Sequence, residues 1–272
     1  MIGQSSIIKR YINGFRSIEP SVVLIGPKGS GKKTLLNTIA YMANTDIIHI
    51  PKVITDEIKY ELYTYPTKAI LSIDLTDNIQ FKQMVAAQNS ILKFIEDMPS
   101  NLRLFILVED ESYLLDTILN RCYIQPLEPY TKRELNLIAE EYNMTSISEY
   151  SDIEFEYMNY PRDVLLNIPV TILHDMDNLV DTILTSIVKA NISNTLSIIR
   201  KLNFDNNEGI YDINIFMNIF NYKIVNILKS DYDSRYFDVF ILLKDLRYNI
   251  LRSNVNKVQL IEKFLLDIKY IL

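Results

Sequence analysis

Apolar positions along this chain of 272 residues follow two rhythms. Short, mostly apolar runs lie at residues 22–25, 47–50, 69–74, 102–108 and 122–125, and the segments between them carry apolar residues three and four apart. The first rhythm predicts buried strands and the second predicts helices. Strands that alternate with helices imply a parallel sheet covered on both faces. Residues 5–18 are expected to form one helix with Ile7, Ile8, Tyr11, Ile12 and Phe15 on a single face. A long helix is expected over 81–98, where Met84, Val85, Ile91, Leu92, Phe94 and Ile95 make the stripe, and a short one over 114–121 ends in Arg121. Beyond Pro126 and Pro129 the reading is almost wholly helical. Thr131 and Glu134 have the spacing of a capping box for a helix through Tyr142, and another helix starts near Pro161. Later, Ile213, Phe216, Phe220, Ile224 and Ile227 form one stripe, and Ile261, Phe264, Leu265, Ile268 and Leu272 form another. The segment 236–246 is apolar nearly all round, which predicts burial between helices or against another subunit. These breaks suggest a sheet domain over 1–128, a small helical domain over 129–177 and a helical assembly domain over 178–272.

The first strand runs into Gly26-Pro27-Lys28-Gly29-Ser30-Gly31-Lys32-Lys33-Thr34, which then becomes a helical pattern. Strand, glycine-rich turn, lysine and helix form the phosphate-binding loop of nucleotide-binding proteins. Only six glycines occur in the chain, and Gly26, Gly29 and Gly31 fall in this window. Such residues let backbone amides turn toward phosphate oxygens. Lys32 would reach the β- and γ-phosphates, aided by the positive end of the helix. One position departs from the pattern G-x-x-x-x-G-K-[ST]. Lys33 stands where the Mg2+-ligating hydroxyl belongs, and Thr34 comes one residue late, about 100° further round the helix. ATP binding is the expectation, with Thr34 and Asp74 the candidate Mg2+ ligands and hydrolysis impaired. Asp74 ends an apolar run, as does the acidic residue of a second nucleotide motif; Asp77 is another candidate for that role. The residue after Asp74 is Leu75, where many ATPases have a glutamate.

Composition narrows the class. The formal charge of −6 and a pI near 5.1 argue against strong DNA binding by the chain alone. A single cysteine, Cys122, and two isolated histidines provide neither a disulfide nor a zinc site. No apolar run approaches the ~20 residues needed to cross a bilayer, and the start of the chain lacks a signal-peptide pattern. A cytoplasmic protein with no membrane partner is expected.

Several segments together resemble the AAA+ subunits of sliding-clamp loaders. Ile2-Gly3-Gln4 resembles that family's opening segment, Ala87 through Pro99 resembles its "AxNALLKxLEEPP" helix, and Thr117-Ile118-Leu119-Asn120-Arg121-Cys122 resembles "TILSRC". The resemblance implies an α/β P-loop AAA+ module of five parallel strands with flanking helices, followed by a helical lid and an all-α collar. It implies that Ile2 lies beside the adenine and that Arg121 acts as an arginine finger on a neighbour's γ-phosphate. It also implies that Arg162, in Asn159-Tyr160-Pro161-Arg162, reaches this chain's own nucleotide. Glu109 stands near the place of a polar sensor residue. The function implied is that of a delta-prime-like subunit in DNA replication, whose partners are other loader subunits, a sliding clamp and primer-template DNA. A working ATPase motor subunit, a non-enzymatic scaffold and a helicase loader are the alternatives. Lys82, Lys93 and Arg103 are candidate DNA-phosphate contacts.

Overall fold

The computed structural model describes residues 1–76, 81–144, 149–188, 196–197, 200, 212–230, 234–252 and 256–272. They fall into two compact units, Met1–Ile138 with Tyr160–Arg162, and Ala139–Asn159 with Asp163–Leu272.

In the first unit β1 (Ser21–Ile25), β2 (Asp46–His49), β3 (Ala69–Asp74), β4 (Leu102–Val108) and β5 (Tyr123–Pro126) form one sheet in the order β2-β3-β4-β1-β5, every pair parallel. Parallel strands require crossovers, and the helices that make them cover both faces. Side chains alternate between those faces. Val22, Leu24, Ile70, Phe105 and Leu107 join a core with Ile7, Tyr11, Leu35, Leu36 and Ile39. Val23, Leu71, Ile73, Leu104 and Ile106 join the opposite core with Leu62, Ile91 and Phe94. The expected five-stranded α/β fold is thus present, its strands displaced by no more than one residue at most ends.

The helices differ more from expectation. The stretch read as one helix over 5–18 is α1 (Ser5–Arg10), then a turn and a 3-10 segment, Gly14–Ser17. Gly14 adopts φ +76°, a left-handed conformation that ends a helix, and Ile12 is left 66% exposed. After α2 (Lys32–Ala43) comes α3 (Asp56–Tyr63), which the apolar pattern did not reveal. Its signal is local: the Thr55 hydroxyl accepts from Ile58 N–H, and Asp56 and Glu57 occupy the first turn. α4 (Phe81–Asp97) agrees with the sequence, whereas α5 (Asp116–Leu119) is a single turn. α6 (Lys132–Glu141) starts at the expected capping box: Glu134 accepts from Thr131 N–H at 2.7 Å, and Thr131 Oγ1 accepts from Glu134 N–H at 3.3 Å.

The second unit is helical throughout its described residues: α7 (Asp152–Glu156), α8 (Pro161–Leu165, begun in the first unit), α9 (Val170–Val188), α10 (Ile213–Ser230), α11 (Ser234–Arg252) and α12 (Lys257–Ile271). Leu173, Met176, Val180 and Ile183 of α9 are buried, as are Ile213, Phe216, Phe220 and Ile224 of α10 and Ile261, Phe264, Leu265 and Ile268 of α12, while Ile227 and Leu272 are half-buried; Phe220 meets Phe264 edge-on at 5.4 Å. Lys223 bridges Asp177 and Asp181 at 2.9 and 2.8 Å. The boundary expected at 177/178 falls inside α9, whose unbroken apolar stripe needs no linker there. The segment 236–246 is not buried all round. Val239, Leu243 and Leu246 face inward, while Phe237 and Ile241 are exposed. Among the described residues no helix is long and apolar enough to cross a membrane.

Phe94 is fully buried and stacks on Tyr63 at 5.9 Å, filling the core beneath α3 and α4. Phe94→Ala is expected to lower the unfolding free energy by about 3–5 kcal/mol, read from urea denaturation, because the surrounding parallel strands cannot collapse into the cavity.

Candidate nucleotide-phosphate site

All five strands point their carboxyl ends the same way, so the loops after β1, β3 and β4 share one edge. The phosphate loop starts as Gly26 N–H donates to Val108 O at 3.2 Å, tying the end of β1 to that of β4. It turns through Gly29 at φ +79° and Gly31 at φ +95°, and α2 begins as Leu35 N–H donates to Gly31 O at 2.8 Å. No side chain caps that helix N-terminus, which leaves its first amides to an anion. Ser30 Oγ is buried beneath the loop with no hydrogen-bond partner among the described residues, and a Cβ at Gly26 would lie 2.7 Å from it. These features fit the phosphates of a nucleotide.

Lys32 is 6% exposed, and its Nζ donates to the carbonyls of Gly26 and Pro27 at 2.5 and 3.0 Å. Burial pushes its ammonium down to about 8, against the opposing fields of Glu109 and Asp74. Glu109, at the end of β4, is raised above the usual carboxylate range by burial, although Lys32, Lys28 and Arg162 pull the other way. Two carboxylates and two lysines therefore converge at the carboxyl edge of the sheet, the second lysine being Lys33.

Lys33 Nζ lies 2.8 Å from Asp74 Oδ2, with the lysine side chain 73% exposed and the aspartate 24%. The other oxygen, Oδ1, accepts from Thr76 N–H at 2.9 Å and Thr76 Oγ1 at 2.5 Å. Burial alone would raise the Asp74 carboxyl, but the bonds from Lys33 and Thr76 outweigh it and hold the group below its ordinary value. The expectation that Thr34 and Asp74 ligate Mg2+ is not what the geometry provides. Thr34 is on the exposed side of α2, and an ammonium occupies the aspartate. Leu75 is buried and carries no charge, Asp77 lies outside the described residues, and among the described residues no cluster of three or more acidic, His or Cys side chains could hold a metal. The side chains present fit phosphate; toward Mg2+ they offer Asp74 alone, and that carboxylate is paired with Lys33.

The other expected residues are distributed around the loop. Ile2 is half-buried in a segment that Gln4 fastens down, donating to Glu128 O at 2.7 Å and accepting from Glu128 N–H at 3.1 Å. Gly3 packs so closely on Tyr130 that a Cβ would lie 2.4 Å from its ring, and Tyr130 OH donates to Ser30 O at 3.3 Å. Tyr130 thus links the N-terminal segment to the phosphate loop, a role that a tyrosine in a proline-rich stretch did not betray. Arg162 reaches the loop through its backbone, its N–H donating to Gly29 O at 3.2 Å. Arg121 lies elsewhere on the unit, just after α5. Its guanidinium meets Glu96 at 3.0 Å and donates to Thr117 O at 3.1 Å. Arg103 is not available to DNA: it donates to the carbonyls of Ile18, Ser100 and Leu102 and covers the Phe15 ring at 4.5 Å. Lys93 is exposed on α4, and the side chain of Lys82 lies outside the described residues.

Residues 19–131 match the family described as DNA polymerase III, delta subunit. This segment is similar to that clamp-loader family. It takes in every strand of the sheet, the phosphate loop, Asp74 and Arg121, and it amounts to less than half of the chain. None of the curated proteins matches the sequence. Among solved structures, the Thermotoga maritima RuvB Holliday junction branch migration motor is similar at 22% identity, with 84% of this chain and 76% of that chain covered and a TM-score of 0.47. A point variant of that motor is similar at 21% identity, with 84% and 77% covered and a TM-score of 0.47.

In the phosphate loop Gly29 combines a left-handed backbone with contact: a Cβ there would lie 2.2 Å from Arg162 Cβ. Gly29→Ala is expected to destabilise the protein by about 1–3 kcal/mol. Lys28→Ala, next to it and exposed, is expected to stay within about 0.5 kcal/mol. Thermal melting of the two variants beside wild type checks the contrast.

Proposed function

We propose that this chain is a delta-prime-like subunit of a DNA sliding-clamp loader, one that holds ATP phosphates weakly or structurally and presents Arg121 to the nucleotide of a neighbouring subunit. Its partners are the other loader subunits and, through the assembly, the clamp and primer-template DNA, in the cytoplasm. The carrying observation is the state of Arg121. Its pair with Glu96 is solvent-exposed on both sides, 42% and 47%, and such pairs contribute less than about 1 kcal/mol. A neighbour's γ-phosphate offers a stronger partner, so the guanidinium can exchange Glu96 for it at small cost. The damaged catalytic set at the phosphate loop, Lys33 at the metal position and Leu75 in place of an acid, speaks against a motor that hydrolyses its own ATP.

ATP turnover by the chain mixed with its loader partners tests this reading. The chain alone is expected to be silent, and Arg121→Ala to lower turnover in the mixture, since an arginine finger is worth ~10³ or more at the site it serves. Lys32→Ala should leave most of that turnover intact. Turnover by the isolated chain that Lys32→Ala abolishes would make it a motor instead.

The buried lysine gives a second test. Phosphates favour charged Lys32, whereas in the free protein its proton is lost above a pH of about 8. Binding must then restore that proton. Affinity for a labelled ATP analogue is expected to be full below about pH 8 and to fall by roughly tenfold per unit above it, with Lys32→Ala weak at every pH.

A further inference from the structure

The position beside Asp74 is filled by a group that the chain itself supplies. Lys33 stands where the phosphate-loop pattern calls for a hydroxyl, and its ammonium sits 2.8 Å from one oxygen of the carboxylate whose other oxygen is held by Thr76. A divalent cation there would face the positive charge of Lys33 a few ångströms away, and like charges repel. It would also find the Asp74 carboxylate already engaged by Lys33 and Thr76, and no hydroxyl at the position that ordinarily supplies one. An ammonium differs in kind. It brings one positive charge on a flexible stem and already holds Asp74.

We infer that Lys33 is a built-in replacement for the divalent cation, so that this site takes nucleotide phosphates free of metal and is indifferent to Mg2+. The nucleotide half of this statement rests on the function proposed above; the replacement of the cation at Asp74 does not. No group transfer is assigned to the site. Neutralising the phosphate loop's ligand by a tethered charge would let the domain keep a nucleotide for its shape without the ion that hydrolysis needs.

Two measurements on the full chain separate the halves. In the first, Mn2+ is titrated without nucleotide and followed by electron paramagnetic resonance, with Asp74→Asn beside wild type. The expected result is no site in wild type that the aspartate variant removes, and such a site would overturn the inference. In the second, the affinity of a fluorescent ATP analogue is compared in EDTA and in millimolar Mg2+. Wild type is expected to differ by less than about threefold between the two conditions, and Lys33→Ser, which returns a hydroxyl to that position, to gain about tenfold or more from Mg2+. A wild-type preference for Mg2+ of about tenfold would overturn the inference even if the Mn2+ result agreed. If wild type binds the analogue in neither condition, the nucleotide reading fails and the Mn2+ titration alone decides whether Lys33 has replaced the cation. Lys33 is exposed, so the serine variant is expected to fold, which circular dichroism verifies.

Discussion

A sheet in which every strand runs the same way has one edge where all its carboxyl ends meet, and the chemistry of the first unit depends on that constraint. β1 lies between β4 and β5, and β3 lies beyond β4, so the phosphate loop, Glu109 and Asp74 emerge next to one another although they are far apart in sequence. The two apolar cores fix this register, because a slip by one residue would exchange the inward faces of β1, β3 and β4. Polar groups at the edge are thus held by burial elsewhere. That is why Lys32 can be kept in an environment that depresses its ammonium to about 8. The unfavourable charge is supported by packing that does not involve the charge at all.

The pair of Lys33 and Asp74 is of a different sort. With the lysine largely in solvent, it adds little to stability, on the order of 1 kcal/mol or less. Its importance is positional, since it decides what else can approach the aspartate. Arg121 and Glu96 form a similarly exposed pair, and the same weakness makes that arginine available. Two ion pairs of comparable strength therefore carry opposite consequences. In the readings proposed above, Lys33 competes with a metal for Asp74 by its charge and its tether rather than by the strength of the pair, and the guanidinium can change partners because its pair is weak.

Much of this was legible in the sequence, for identifiable reasons. Short apolar runs marked all five strands, because strands buried on both faces are apolar throughout, and the glycines and lysines of the loop marked its place after β1. The stripes of α10 and α12 were readable because they face a single core. What escaped was set by local backbone or by tertiary pairing. Gly14 broke a helix that periodicity alone would continue, and α3 was announced by its cap and acidic first turn more than by apolar spacing. The roles of Gln4 and Tyr130 could not be read, because each acts on a partner about a hundred or more residues away. The departure at Lys33 was visible as a wrong residue in a known pattern. That it would find Asp74 was not, since this requires knowing that the ends of α2 and β3 are neighbours.

The same departure bears on why the chain would keep its phosphate loop. A loop with no use would have no reason to retain a buried lysine that costs stability whenever it is charged. Lys32 is nonetheless held at 6% exposure, with its ammonium on two backbone carbonyls and an orphaned serine hydroxyl nearby. Arg162 and Tyr130 contact this loop too, so anything that alters its shape also acts on the N-terminal segment and on the start of α8. A ligand that stays bound and unhydrolysed would hold these parts in one arrangement, whereas a turnover cycle would repeatedly release them. In the role proposed above, that of holding an arginine in place for a neighbour, a fixed arrangement would be the more useful one, and an ammonium tethered to the chain would serve that end better than an exchangeable ion.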